Sequence, residues 1–304
     1  MHEPSAPITD TMRIEPVTHL DLGSIQTLVF AGGGNRCWWQ AGAVTYWQER
    51  GWALPPTLIG TSAGAAVAAA CLSERVTTAL DGCIGLFDSN PRIFDWRSLA
   101  RLKLNFAHQR IYPAWLSSFV DEAGFASLRQ APSRLRVAFT RPARLLGLGG
   151  SLAAGTLAYM IDRYLANRLH PRLPRWLGLR YEFIDLQQCR DLAEAKNLLV
   201  SAAAAPPFLL AQRIDGRHAI DGGYADNAPI PEQTAAEKRS TLVLLTRHYP
   251  KLPTLFRFNE RHYWQPSRRV PVSTWDCTAR ATVRDAFSLG QQDALDSRAH
   301  FALS

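Results

Sequence analysis

Gly60-Thr61-Ser62-Ala63-Gly64 sets a serine between two glycines with small neighbours on either side. This is the composition of a nucleophile elbow. Such a turn joins a strand to a helix sharply enough to project the serine hydroxyl from the sheet edge, and bulky residues two places before or after would collide. The helix that follows turns free N–H groups and its positive dipole end toward the serine, which favours a developing oxyanion. G-x-S-x-G alone arises by accident in roughly one chain in ten of this length, so its setting must carry the weight.

A second glycine turn, Gly32-Gly33-Gly34-Asn35-Arg36-Cys37, follows a short apolar run. It lacks the spacing and the Lys of a Walker loop. It also lacks the third glycine of a dinucleotide fingerprint, because Cys37 stands there. Consecutive glycines can aim several backbone N–H groups at one point and admit a substrate carbonyl closely, which suits an oxyanion hole.

A serine nucleophile needs a base. His248, His262 and His300 are available for a Ser–His–Asp arrangement, but none lies in a distinctive turn. The alternative is Asp221, at the end of a short apolar stretch and before Gly222 and Gly223. A free aspartate has a pKa near 3.9, so this site would have to raise its basicity by desolvation.

These groups need elements to hold them. The runs 25–31, 56–60, 134–141, 181–186 and 241–247 read as short buried strands. The segment after the first glycine turn reads as a helix, with Trp39, Ala43 and Trp47 four residues apart and Gly51 as a stop. Residues 65–80 are strongly helix-forming. Strand–glycine turn–helix thus occurs twice in the first 80 residues, which predicts an α/β fold with a largely parallel sheet covered by helices on both faces. One domain over 25–304 is the simplest account, preceded by a loose tail at 1–24.

The chain of 304 residues is 47% apolar and 20% charged, enough to bury a substantial core. A net charge of +8 favours anionic partners, either nucleic acid or an acidic membrane surface. No recognition-helix or RNA-binding pattern is present, so nucleic acid is not expected. Five cysteines, odd in number and without CxxC, suit a reducing cytosol and predict neither disulfides nor a zinc site. The N-terminus has no basic start and no apolar run, so no secretory signal is expected.

The region 142–180 is unusual. Residues 145–161 form an uncharged run, short for a bilayer span and weakened by four glycines. Arg144, Arg163, Arg168, Arg172, Arg175 and Arg180 flank it against Asp162, with Tyr159, Tyr164 and Trp176 interleaved. A buried core helix is one reading. The flanks favour a cap beside the active site that docks on an anionic membrane, making the protein cytoplasmic and peripheral on the bilayer.

Taken in order, GGGNRC (32–37), GTSAG (60–64) and DGG (221–223) resemble the patatin-like phospholipase family. SAAAAPPF (201–208), NAPIP (227–231) and SLGQQDA (288–294) are similar to stretches the family places around them. The resemblance implies a three-layer α/β/α fold with a Ser62–Asp221 dyad. It implies an oxyanion hole from Gly32, Gly33 and Gly34, with the Ala63 N–H added by the elbow, and Arg36 supporting the loop. The implied activity is hydrolysis of fatty acyl esters of lipids with no cofactor or metal. Cys37 departs from the family pattern, which usually has glycine there. A position needing φ > 0 or a close backbone approach would be distorted by a Cβ, giving a lipid-binding pseudoenzyme as one alternative. A Ser–His–Asp carboxylesterase on soluble esters is the other.

Overall fold

A computed structural model describes residues 14–101, 104–164 and 169–303. Its strands are β1 (Glu15–Pro16), β2 (Leu20–Asp21), β3 (Thr27–Phe30), β4 (Thr57–Thr61), β5 (Arg134–Arg141), β6 (Arg180–Asp185), β7 (Gln212–Ile214), β8 (Arg217–Asp221), β9 (Thr241–Leu244), β10 (Leu255–Phe258), β11 (Arg261–Trp264) and β12 (Phe301–Ala302). Its α-helices are α1 (Trp38–Gln48), α2 (Ala63–Leu72), α3 (Val76–Asp88), α4 (His108–Phe119), α5 (Glu122–Gln130), α6 (Gly147–Tyr164), α7 (Leu173–Trp176), α8 (Leu192–Ala202), α9 (Ala235–Arg239) and α10 (Val283–Asp296).

The five expected strands form, and four of them, β9, β3, β4 and β5, carry the centre of the main sheet. That sheet runs β1-β10-β11-β9-β3-β4-β5-β8-β7, with β6 also on β5. Strands β11, β9, β3, β4 and β5 are parallel to one another. Antiparallel strands extend the edges on both sides. The fold is of the expected α/β/α type, a mostly parallel centre flanked by helices. Strand periodicity of two divides the apolar side chains between the faces. Leu28, Phe30, Leu58, Leu242 and Leu244 enter a large core with α1, α2 and α10. Val29, Ile59 and Val243 enter a smaller one with Phe256 and Tyr263.

Helix α1 is locked against α10 by two glycines. A Cβ on Gly42 would stand 2.0 Å from the Phe287 carbonyl oxygen, and one on Gly290 2.0 Å from that of Trp39. Trp39 Nε1 then donates to Asp293 at 2.7 Å, and Ser267 Oγ donates to the other oxygen of the same carboxylate at 2.6 Å. SLGQQDA is thereby tied to the helix behind the first glycine turn.

Two expectations about elements are corrected. The helix expected at 65–80 is two helices, because Glu74 takes φ +57 between α2 and α3. Residues 14–24, expected as part of a loose tail, are held by backbone pairing. β1 pairs with β10 and β2 with β12, and Leu20 and Leu22 are buried. Residues 1–13 of that segment lie outside the described residues. So do Arg168 and the side chains of Asp162, Arg163 and Tyr164.

Region 145–161 is not a buried core helix. No helix among the described residues is long and apolar enough to cross a membrane. Along α6, Leu157 and Met160 are exposed.

Candidate active site

Strand β4 lies between β3 and β5 and ends at Thr61. Ser62 then takes φ 55, ψ −137, and α2 starts at Ala63. A non-glycine residue at such an angle costs about 1–3 kcal/mol and persists only where its surroundings hold it. The holding is visible in the flanking glycines. A Cβ on Gly60 would sit 2.4 Å from Ala65 Cα, and one on Gly64 2.6 Å from the Phe30 carbonyl oxygen.

Asp221 ends β8, which pairs antiparallel with β5 so that Asp221 faces Phe139. In the neighbouring register Thr61 faces Ala138. One strand therefore separates the two residues, and both stand at the same end of the sheet. Close approach requires Gly222, whose added Cβ would lie 2.7 Å from Thr61 Cγ2. The outcome is a hydrogen bond from Ser62 Oγ to Asp221 Oδ2 at 2.6 Å across 159 residues of sequence. The Gly223 N–H holds the other carboxylate oxygen at 2.7 Å.

Ser62 and Asp221 are both buried. Burial pushes the Asp221 carboxyl up to about 6, against the opposing pull of the hydrogen bonds from Ser62 and Gly223. The carboxylate is thus more basic than a free aspartate, as a base for a serine hydroxyl requires, yet it is still ionised at neutral pH.

The first glycine turn arrives beside Ser62, with Gly32 closest. A Cβ on Gly32 would be 3.2 Å from Ser62 Cβ. Gly34 takes φ +55 and backs onto Thr274, whose carbonyl oxygen would be 2.4 Å from an added Cβ. Arg36 Nε donates to the Gly33 carbonyl at 3.2 Å, and Thr246 Oγ1 donates to that of Gly32 at 2.7 Å. The expected donor set needs one correction. The Gly32 N–H is committed to the Asn227 carbonyl at 2.7 Å and is not free for an oxyanion. The N–H groups of Gly33, Gly34 and Ala63 make no hydrogen bond among the described residues.

Cys37 does not distort this loop. Its φ of −65 and ψ of −16 are ordinary right-handed values, so no glycine is demanded there. The thiol is buried, donates to the Ala31 carbonyl at 3.5 Å, and is pushed well up by desolvation.

Two of the three histidines weighed as bases are bonded elsewhere. His248 Nδ1 is 2.9 Å from the Pro266 carbonyl and His300 Nδ1 is 2.8 Å from that of Thr18. His262 lies in β11, with Nδ1 buried and unpartnered among the described residues. Nor, among the described residues, is any group of three His, Cys, Asp or Glu placed to hold a metal ion. All five cysteines are free and buried.

Ser62, Ala63 and Gly34 border a cavity of about 70 Å³, whose walls include the aromatic rings of Trp38, Tyr112, Phe208 and Trp275. Phe208 and Trp275 stack at 4.7 Å between centroids. Phe208 closes the quoted SAAAAPPF stretch, but Tyr112 and Trp275 carry no local sequence signal. They come from α4 and from the loop before α10, and only the packing brings them to the serine.

The patatin-like phospholipase model matches residues 28–232, a stretch that holds both glycine turns, Ser62 and Asp221. The chain belongs to the patatin-like phospholipase family, a family of lipid acyl hydrolases. Among solved structures, the crystal structure of VipD from Legionella pneumophila is similar at 14% identity with a TM-score of 0.40, over 80% of this chain and 54% of that one. The chain thus spans about half the length of that protein. No curated protein matches the sequence.

Proposed function

We propose that this chain is a serine esterase of the phospholipase A type, cleaving fatty acyl esters of phospholipids or related lipids through Ser62 and Asp221. The observation that carries the reading is the 2.6 Å bond from the serine hydroxyl to a buried carboxylate. Asp221 Oδ2 accepts the Ser62 proton as Oγ attacks the ester carbonyl. The tetrahedral oxyanion receives the N–H groups of Gly34 and Ala63, which border the cavity, with that of Gly33 adjacent in the same turn. Collapse breaks the bond to the alcohol, which leaves with the proton from Asp221. Water, deprotonated by the same carboxylate, then releases the fatty acid from the acyl-enzyme. The aromatic-walled cavity supports an apolar acyl group at the serine. These steps use no histidine, and the ordinary φ of Cys37 supports an undistorted glycine turn. A fluorophosphonate probe is expected to label Ser62 covalently, and Ser62→Ala to abolish labelling and ester turnover together. Labelling of another residue, or turnover surviving in Ser62→Ala, refutes the assignment.

A further inference from the structure

Among the described residues, the buried positions of helix α6 are all small residues, and two of its large apolar residues are exposed. Ser151, Gly155 and Ala158 are buried, at spacings of four and three that share one helix face. Ser151 Oγ accepts the Ala143 N–H at 2.8 Å, and an added Cβ on Gly155 would lie 3.1 Å from the Tyr224 ring. The outer side carries Leu157 (61% exposed) and Met160 (49%), and the approach to the helix carries Leu145 (101%). Helix α6 packs on α7, at whose end Trp176 (69%) and Leu177 (43%) are also exposed. Single exposed apolar residues are ordinary, but several on one packed helix pair mark an interaction surface.

Beside α7 opens a groove of about 1680 Å³. Seven Arg or Lys side chains line it, among them Arg172, Arg175, Arg180, Arg247 and Lys251, against the carboxylates of Asp226 and Glu232. Asp226 is already engaged by His170 Nδ1 at 2.7 Å. Trp176, exposed at the end of α7, also lines the groove, and α7 packs on α6, so the groove and the apolar helix pair meet there.

A cationic groove suits any phosphate. An apolar ridge joined to it by a tryptophan suits only phosphates that lie above acyl chains. We propose that α6, α7 and the groove form a docking face for an anionic phospholipid bilayer, with the arginines on headgroup phosphates and the ridge among the acyl chains. Asn227 ties the face to the candidate site. Asn227 Nδ2 donates to the Tyr159 hydroxyl of α6 at 3.0 Å, and the Asn227 carbonyl accepts the Gly32 N–H at 2.7 Å. The docked helix therefore rests against the loop that braces the glycine turn. Recognition of the bilayer does not itself depend on Ser62, so it can be tested apart from the hydrolase reading.

The test uses the full chain carrying Ser62→Ala, co-sedimented with vesicles of mixed phosphatidylglycerol and phosphatidylcholine and with vesicles of phosphatidylcholine alone. Binding is expected to the mixed vesicles and to weaken with salt. At about fivefold per charge lost, Arg175→Ala with Arg180→Ala lowers it roughly 25-fold. Leu157→Ser with Met160→Ser lowers it more than about tenfold, through lost apolar insertion. Circular dichroism checks that each variant is folded. The same pairs of changes placed on the Ser62 protein are expected to leave turnover of a soluble short-chain ester within about twofold, as surface changes away from the site do. Equal binding to both vesicle types, or variants that bind like their parent, overturns the proposal. So does capture of inorganic phosphate or RNA without capture of vesicles. If the Ser62 protein turns over no ester yet binds the mixed vesicles, the docking face stands and the hydrolase reading falls.

Discussion

Asp221→Asn separates the cost of burying a base from its use. In the fold the Asp221 carboxyl rises from its ordinary 3.8 to about 6 because it is desolvated. Between those two values the folded protein holds a proton that the unfolded chain has released. Stability therefore falls as pH rises through this window and levels off above about 6. At about 1.4 kcal/mol per pKa unit, the ionised carboxylate costs the fold about 3 kcal/mol at pH 8. Asparagine is nearly isosteric and never ionises. Its carbonyl can accept from the Gly223 N–H as the carboxylate does, and its amide can donate to Ser62 Oγ, which keeps a bond there with the direction reversed. The measurement is urea unfolding of both proteins at pH 4 and at pH 8. Relative to the native protein, Asp221→Asn is expected to gain about 2.5 kcal/mol between the two pH values, because part of the cost is already present at pH 4, and comparing the difference across pH cancels any constant cost of the substitution. Over the same change ester turnover is expected to drop about 10²–10⁴-fold with loss of the general base. A stability difference flat across pH, or one moving in the opposite direction, refutes the account of a desolvated carboxylate.

The same basicity predicts that kcat/KM climbs as pH passes about 6 and then holds level, which a pH–rate profile on a soluble ester reads directly. Gly64→Ala puts a methyl group 2.6 Å from the Phe30 carbonyl oxygen. It is expected to cost several kcal/mol, seen as loss of soluble folded protein or a large fall in the urea midpoint, whereas Gly85→Ala, where an added Cβ meets nothing, serves as the tolerated control. Cys37→Gly is expected to lower stability by about 1 kcal/mol and to leave the catalytic rate unimproved, because Cys37 already sits at an ordinary φ. A rate gain in that variant contradicts the reading of an intact turn.

The parts legible in the sequence are those set by local chemistry. The run 134–141 is rich in β-formers and becomes β5 with those bounds. Gly60 and Gly64 around Ser62 signal a turn that leaves no room for side chains, and both glycines lack that room. Local pattern also has limits. Residues 65–80 read as one helix on propensity, yet Glu74 at φ +57 breaks it so that α3 can pack on α4. Ile14 to Ser24 look like tail because two-residue strands have no periodicity to detect. Their order comes from partners more than 200 residues away, in β10 and β12.

By itself, then, the sequence determined a parallel α/β sheet, a serine in a turn that only small neighbours permit, and an aspartate before two glycines. These follow from strand propensity and steric limits acting within a few residues. Only the tertiary structure decided that Ser62 and Asp221 meet at 2.6 Å, that Gly32 spends its N–H on Asn227, and that α6 buries Ser151, Gly155 and Ala158 while Leu157 and Met160 stay exposed. Each of those rests on strand register and helix rotation across distant segments, and desolvation, hydrogen-bond satisfaction and packing fix them only once the whole chain has closed.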